Sequence, residues 1–337
     1  MATYAQSGVN VETGDKASEI AYGHAKKTFI GRKGMIGEPL VDDWGFTGAI
    51  DMGDFYMVAN DDGVGTKMEV AELMNKYDTL GYDLLAMVAD DAACAGAECL
   101  SITNTIDADK VDTNKIDEMM TGLEKACLEQ KVSVVGGEIA ELSGALNSYV
   151  WNASAVGILG KDKRITSEFV KSGDSIIGFH SPGFRSNGMS LVRFILKEKF
   201  GKDWVHAKYN ETKTWGEVVL TPSVIYHNAI MALHGRYGQP KQVTLKGVAH
   251  ITGGGIPGNI CRVLDRTGAK ANLSKMPAPT EEMQKIIELG TVSKEEAENT
   301  WNLGIGMIIV VDQNEQEKTL EIIKKEGYSA SVIGEIV

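Results

Sequence analysis

The chain of 337 residues predicts a two-domain protein of the α/β (mixed α+β) class. Its length exceeds what one ordinary core fills and fits two units of roughly 150 residues each. Helical and strand-like hydrophobic patterns alternate in both halves, which is how layered sheet-and-helix domains read. Glycines with carboxylates recur directly after strand-like runs, where open sheets tend to place ligands. These patterns divide the chain into a glycine-rich leader over residues 1–48, an N-terminal domain over 49–165 and a C-terminal domain over 170–337, opened by the turn Lys171-Ser172-Gly173-Asp174.

Composition narrows the function. Lys and Arg total 34 against 46 Asp and Glu, giving a net charge of −12 and a pI near 5.1. That balance argues against nucleic acid or an anionic membrane as the main partner. The N-terminus lacks the apolar core of a signal peptide, and no apolar run approaches the roughly 18 residues of a membrane span, so a soluble cytoplasmic protein is expected. Cys94, Cys99, Cys127 and Cys261 form no CxxC pair. Reduced, buried thiols are expected and a zinc site is not.

The leader carries one amphipathic helical pattern over residues 15–29, then Gly31, Gly34, Gly37, Gly45 and Gly48. Such a segment could close over a ligand or simply be a flexible lead-in. A strand-like run over 55–59 feeds Asn60-Asp61-Asp62-Gly63-Val64-Gly65-Thr66-Lys67. Aspartates at a strand end can hold Mg²⁺, and glycines let backbone approach a phosphate. The spacing is not that of a Walker A loop, and a polar turn has similar composition. Residues 81–96 read as a helix through Leu84, Leu85, Val88 and Ala92, with Asp90 and Asp91 in its middle. Two acids there are costly unless they face water or a cation. A strand over 99–105, a helix over 113–131 and a strand over 132–135 follow, the last ending in Gly136-Gly137-Glu138. A further strand covers 151–159.

The second half opens with a strand over 174–180 and a helix over 187–199, joined through Arg185, Ser186 and Asn187. A helix N-terminus with an arginine beside it suits a phosphate. Thr221-Pro222 reads as the start of another helix, Thr as N-cap and Pro at the first helical position. His250, Thr252 and Gly253-Gly254-Gly255 lie between a strand-like stretch and a helix over 256–264. There His250 reads equally as a structural or a functional residue. Helices over 280–289 and 315–326 alternate with strands over 305–311 and 331–333, and no internal repeat is present.

Taken together, DGVGTK at 62–67, the Asp91 helix followed by AGAE, GGEIAE at 136–141, SNGMSLVR at 186–193, AHITGGG at 249–255 and NLGIGM at 302–307 resemble the phosphoribosylformylglycinamidine cyclo-ligase family, also called aminoimidazole ribonucleotide synthetases. The opening from Tyr4 to Gly14 and Gly45-Phe46-Thr47-Gly48 are similar to that family's leader. The motifs fall in the family's order from residue 4 to the C-terminus.

The resemblance implies ATP-dependent cyclisation of formylglycinamidine ribonucleotide to aminoimidazole ribonucleotide, with release of ADP and phosphate, in purine biosynthesis. It implies Mg²⁺ on Asp62, Asp91 and Glu138. ATP would contact Asp62, Gly63, Gly65, Thr66, Lys67, Asp91, Gly136, Gly137 and Glu138, with Gly45 and Gly48 of the leader folding over it. The ribonucleotide would face Arg185, Ser186, Asn187, His250, Thr252, Gly253, Gly254 and Gly255, and the catalytic set would be Asp62, Asp91, Lys67 and His250. A homodimer is implied too, pairing the first-domain sheets, with the runs 55–59 and 99–105 as the strands otherwise left as edges. The chain departs from the family at Arg185, where members read histidine in PHSNG, and at 103–112 and 142–146. Alternatives are another ATP-using enzyme of the superfamily, such as a thiamine-monophosphate kinase, or a non-catalytic nucleotide-binding paralogue. A selenophosphate synthetase would carry a reactive cysteine in its leader, and residues 1–93 contain none.

Overall fold

The computed structural model describes residues 2–8, 10–41, 45–265 and 267–337. The leader is dominated by helix α1 (Val11–Thr28), capped by Asn10, whose side chain accepts from the Thr13 N–H. Strands β1 (Glu38–Pro39) and β2 (Gly48–Asp51) carry it onto the first sheet. There follow β3 (Phe55–Gly63), α2 (Lys67–Met74), α3 (Leu80–Cys94), β4 (Glu98–Ala108), α4 (Thr113–Gln130), β5 (Ser133–Glu141) and β6 (Val150–Gly160). The sheet runs β1-β2-β3-β6-β4-β5, and only β4 and β5 are parallel. Helices α3 and α4 cover the face that carries Val58, Ile102, Ile106, Trp151, Ala153 and Ala155, all buried. Alternate residues put Asp61, Thr103, Thr105 and Ser154 on the opposite face.

The second unit is built from β7 (Ser175–His180), α5 (Met189–Phe200), α6 (Trp215–Val219), α7 (His227–His234), β8 (Gly247–His250), α8 (Gly255–Leu264), β9 (Ala271–Asn272), α9 (Glu281–Gly290), α10 (Lys294–Thr300), β10 (Ile305–Val311), α11 (Gln316–Lys325) and β11 (Ala330–Ile336). Its sheet, β8-β10-β7-β11-β9, is antiparallel throughout. β10 is buried at every position, which is why it reads as an uninterrupted apolar run.

Several expectations are corrected. Residues 60–63 continue β3 instead of forming a turn, because each pairs with β6. Gly136, Gly137 and Glu138 lie inside β5, paired with β4, and not at a strand end. The runs 55–59 and 99–105 are interior, since β3 sits between β2 and β6 and β4 between β6 and β5. The unpaired long edge is β5. Residues 221–225 do not start a helix: the segment is irregular up to Tyr226, which precedes α7, and its backbone is taken up by buried charged side chains described below. Cys94, Cys99 and Cys127 are buried as expected, but Cys261 is exposed on α8. Among the described residues no helix is long and apolar enough to cross a membrane.

Candidate active site

Continuation of β3 through the acidic pair sends the two aspartates to opposite faces of the sheet. Asp61 accepts from the Ser154 hydroxyl on the open face. Asp62 shares the α3 face with Asn60, whose side-chain amide donates to the Val88 carbonyl at 3.0 Å. The Gly63 N–H donates to Asp62 Oδ1 at 2.7 Å. Burial pushes the Asp62 carboxyl up to about 6, against that hydrogen bond and with the charges of Asp91 and Asp61 adding to the rise. Gly63 is glycine for packing, since a Cβ there would lie 2.0 Å from Asn152 Oδ1.

Helix α3 presents Asp83 and Asp90, seven residues apart and so on one face, to the irregular segment 221–226. Asp83 accepts from the N–H and hydroxyl of Ser223 and pairs with Lys67 Nζ at 2.8 Å. Lys67 also donates to the Thr221 carbonyl at 2.7 Å. Asp90 accepts from the Tyr226 N–H at 2.7 Å and from Arg185 Nη2 at 3.2 Å. Arg185 Nη1 donates to the Val224 carbonyl at 2.7 Å, and its guanidinium lies 5.1 Å from the Tyr226 ring centroid. A helix here would consume the carbonyls and N–H groups that these four charged side chains occupy.

His250 closes the network. Its Nε2 lies 2.8 Å from Arg185 Nη2 and its Nδ1 2.8 Å from Asp91 Oδ1. Burial, then the Arg185 charge, push the imidazole down to about 3. Burial pushes Asp91 up to about 8, with the charges of Arg262 and Arg185 opposing. Two carboxyls whose ionised forms are opposed by burial, that of Asp62 also by the charge of Asp91, are a site that favours a cation or a proton.

Three of the expected ligand contacts do not match these positions. Lys67 and His250 are fully enclosed, and Arg185 is 1% exposed. The Lys67 ammonium, both ring nitrogens of His250 and both terminal nitrogens of Arg185 are engaged by protein partners, while Arg185 Nε is buried without one. Arg185 precedes α5 by four residues and has φ 59°, which turns its side chain into the interior. Glu138 also leaves the expected triad. Asp62 aligns through Ala153 and Asn104 with Gly137, three strands away and so about 14 Å distant, while Glu138 aligns with Thr105 and points to the opposite face. Among the described residues no group of three or more His, Cys, Asp or Glu is placed to hold a metal. Asp62 and Asp91 remain as a pair, which is the carboxylate count Mg²⁺ commonly takes alongside substrate phosphates and water.

The remaining candidates are spread over the turns leading into α2, α5 and α8 and over β5. Gly65 is left-handed, with open space where a Cβ would be. Thr66 Oγ1 is 3.4 Å from Ser190 Oγ on α5. Ser186 Oγ is buried without a partner, and Asn187 reaches Met87 Sδ at 3.7 Å. The loop of Thr252, Gly253, Gly254 and Gly255 is held by Asn259, whose Nδ2 donates to the carbonyls of Gly253 at 3.2 Å and Gly255 at 2.7 Å. A Cβ on Gly255 would lie 1.9 Å from the Glu298 carbonyl, which excludes any larger residue. Gly136 and Gly137 sit on the edge strand β5.

Sequence reading passed over Asp83, Tyr226 and Arg262. Arg262, on α8, donates from Nη1 to the Gly45 carbonyl at 3.2 Å and stacks 4.7 Å from the Phe46 ring centroid, tying the end of the leader to the C-terminal unit. Residues 42–44 of the leader lie outside the described residues. Beside this tie a cavity of about 630 Å³ lies between leader and sheet, lined by Tyr22, Phe29, Leu40, Phe46 and Met57 and, at one end, Asn60 and Asp61, with Gly45 and Gly48 on its wall.

Fold and paired carboxylates together define a two-domain enzyme class: residues 46–159 match the family described as "AIR synthase related protein, N-terminal domain" and 171–337 its C-terminal domain counterpart. The chain is 37% identical over 337 residues to a phosphoribosylformylglycinamidine cyclo-ligase of Pyrococcus furiosus, covering 99% of this chain and 96% of that protein. A relative of the same name from Clostridium perfringens is 34% identical, over 100% and 97% of the two chains. The chain belongs to the phosphoribosylformylglycinamidine cyclo-ligase family. Among solved structures it shares its fold with HypE in the HypE-HypF complex, with a TM-score of 0.62 at 20% identity over 86% of each chain. It also shares its fold with AaThiL complexed with AMPPCP and TMP, with a TM-score of 0.61 at 13% identity over 88% and 86%.

Proposed function

We propose that this chain catalyses ATP-dependent ring closure of formylglycinamidine ribonucleotide to aminoimidazole ribonucleotide, with release of ADP and phosphate, as a cytoplasmic enzyme of purine biosynthesis. The observation that carries the reading is the end-to-end similarity to cyclo-ligases at 37% identity. In this reaction the formyl oxygen takes the γ-phosphoryl group, an amidine nitrogen attacks the activated carbon, and phosphate departs. No protein nucleophile is needed, so the protein's task is positioning and charge neutralisation.

The raised carboxyls of Asp62 and Asp91 fit Mg²⁺, which when bound would neutralise charge on the nucleotide phosphates. The cavity under the leader has the size of a small-molecule site and an apolar lining suited to a base, with Gly45 and Gly48 on its wall. Gly63, Gly65 and Thr66 are the backbone and hydroxyl groups assigned to the phosphates. Ser186, Asn187, Thr252 and Gly253 are assigned to the ribonucleotide. Lys67, Asp83, Arg185 and His250 support these groups from behind.

The active form on this reading is a homodimer. β5 is a nine-residue edge strand with Val135 67% and Ile139 48% exposed, a row that invites pairing with a second copy. Gly136, Gly137 and Glu138 then belong to that interface, where Glu138 would face the partner's sheet. The test of the activity is formation of aminoimidazole ribonucleotide from formylglycinamidine ribonucleotide, ATP and Mg²⁺ by the purified protein. Thiamine monophosphate as acceptor is the comparison. ADP release with thiamine monophosphate and none with the ribonucleotide would replace this assignment by the kinase alternative.

A further inference from the structure

The network behind Asp91 contains hydrogen bonds whose direction is forced. A guanidinium only donates. Nη2 of Arg185 carries two hydrogens and has two partners, Asp90 Oδ2 at 3.2 Å and His250 Nε2 at 2.8 Å. His250 Nε2 must therefore accept, through its lone pair. A neutral imidazole that accepts at Nε2 carries its proton on Nδ1, and that nitrogen lies 2.8 Å from Asp91 Oδ1. The chain of donation runs from Arg185 to His250 to Asp91. His250 engages Asp91 at one oxygen, leaving Oδ2 uncommitted among the described residues.

Arg185 is itself over-determined. Its other terminal nitrogen is fixed by the Val224 carbonyl, its plane stacks on Tyr226, and Asp90 is held in turn by the Tyr226 N–H. Rotation of the guanidinium away from His250 would leave buried donors unpaired.

We propose that Arg185 locks His250 in its Nδ1-protonated tautomer, and that the two are positioning residues which orient Asp91 toward the cleft, so that His250 takes no part in proton transfer. This rests on the reading of Asp62 and Asp91 as the cation and phosphate site. The position demands a donor to His250 and a partner for Asp90, which a guanidinium supplies with two hydrogens of one nitrogen.

Two measurements test it, one independent of activity. Long-range ¹H–¹⁵N spectra of the full-length protein report the tautomer of each histidine ring, and the signals lost in His250→Asn assign this one. The expected result is the Nδ1–H form; an Nε2–H form or an imidazolium at neutral pH overturns the proposal whether or not the protein turns over substrate. The second measurement is turnover of His250→Asn against His250→Ala. The asparagine amide can stand in for the Nδ1–H donor but cannot carry a proton between groups. Turnover by His250→Asn within about tenfold of the parent, with His250→Ala at least a further tenfold lower, is the expected pattern. Equal loss in both variants, with unchanged melting temperature, would return His250 to proton transfer. Absence of turnover in the parent would strike the proposed reaction alone and leave the tautomer result standing.

Discussion

Replacing Asp62 by asparagine separates a cation site from a structural carboxylate. The side chain keeps its size and an oxygen for the Gly63 N–H, 2.7 Å away in the parent. What it loses is a charge that burial and the neighbouring Asp91 and Asp61 oppose. A carboxyl raised from 3.8 to about 6 carries a penalty of about 3 kcal/mol in its ionised form at neutral pH and above. Without Mg²⁺, Asp62→Asn should relieve about 1 to 3 kcal/mol of this, raising the melting temperature by about 2 to 6 °C. With Mg²⁺ and both substrates, turnover should fall by more than about tenfold, because half of the protein's cation ligation is gone. Differential scanning fluorimetry with and without Mg²⁺, paired with steady-state kinetics, reads both. A melting temperature that drops without metal, with turnover preserved, would refute the reasoning and make Asp62 a structural residue.

Other consequences follow from the same geometry. Lys67→Met should destabilise the protein by about 3 to 5 kcal/mol, since it leaves Asp83 buried without its cation, and Lys67→Met with Asp83→Leu should recover part of that in thermal or chemical unfolding. Asp62 and Asp91 titrate higher folded than unfolded, so the folded state holds more protons above pH 3.8 and the metal-free protein should lose stability as pH rises through about 6 and then about 8. The stabilising increment from Mg²⁺ should therefore be larger at the upper end of that window than at its lower end; an increment independent of pH would separate the metal from these carboxylates. Val135→Lys on the β5 edge should shift light scattering from dimer to monomer, and a parent that is already monomeric at micromolar concentration would refute the interface.

Much of the architecture was legible in the chain because it rests on local periodicity. The spacing of Leu84, Leu85, Val88 and Ala92 placed α3 within a residue or two, and the run from Ile305 to Val311 is β10 as read. What stayed hidden depends on partners far away in sequence. Lys67 beside Gly65 and Thr66 has the composition of a phosphate loop, yet its ammonium is claimed by Asp83 and by Thr221, 154 residues on. Thr221-Pro222 has helix-start chemistry, but the charged groups of Lys67, Asp83, Asp90 and Arg185 engage the backbone of a segment that stays irregular. Glu138 looks equivalent to Asp62 as a carboxylate near glycines. Only the strand register reveals that the two lie on opposite faces. Asp62 and Asp91 were singled out by residue type and motif order as candidates, and folding brings them close enough for the charge of Asp91 to raise Asp62.

The most direct test of the central claim is a single assay. Purified protein is incubated with ATP, Mg²⁺ and formylglycinamidine ribonucleotide, and aminoimidazole ribonucleotide and ADP are quantified together. The account predicts both products in equal amounts, with none when either ATP or Mg²⁺ is omitted. Folded protein that forms no aminoimidazole ribonucleotide, or that forms it without consuming ATP, would contradict it.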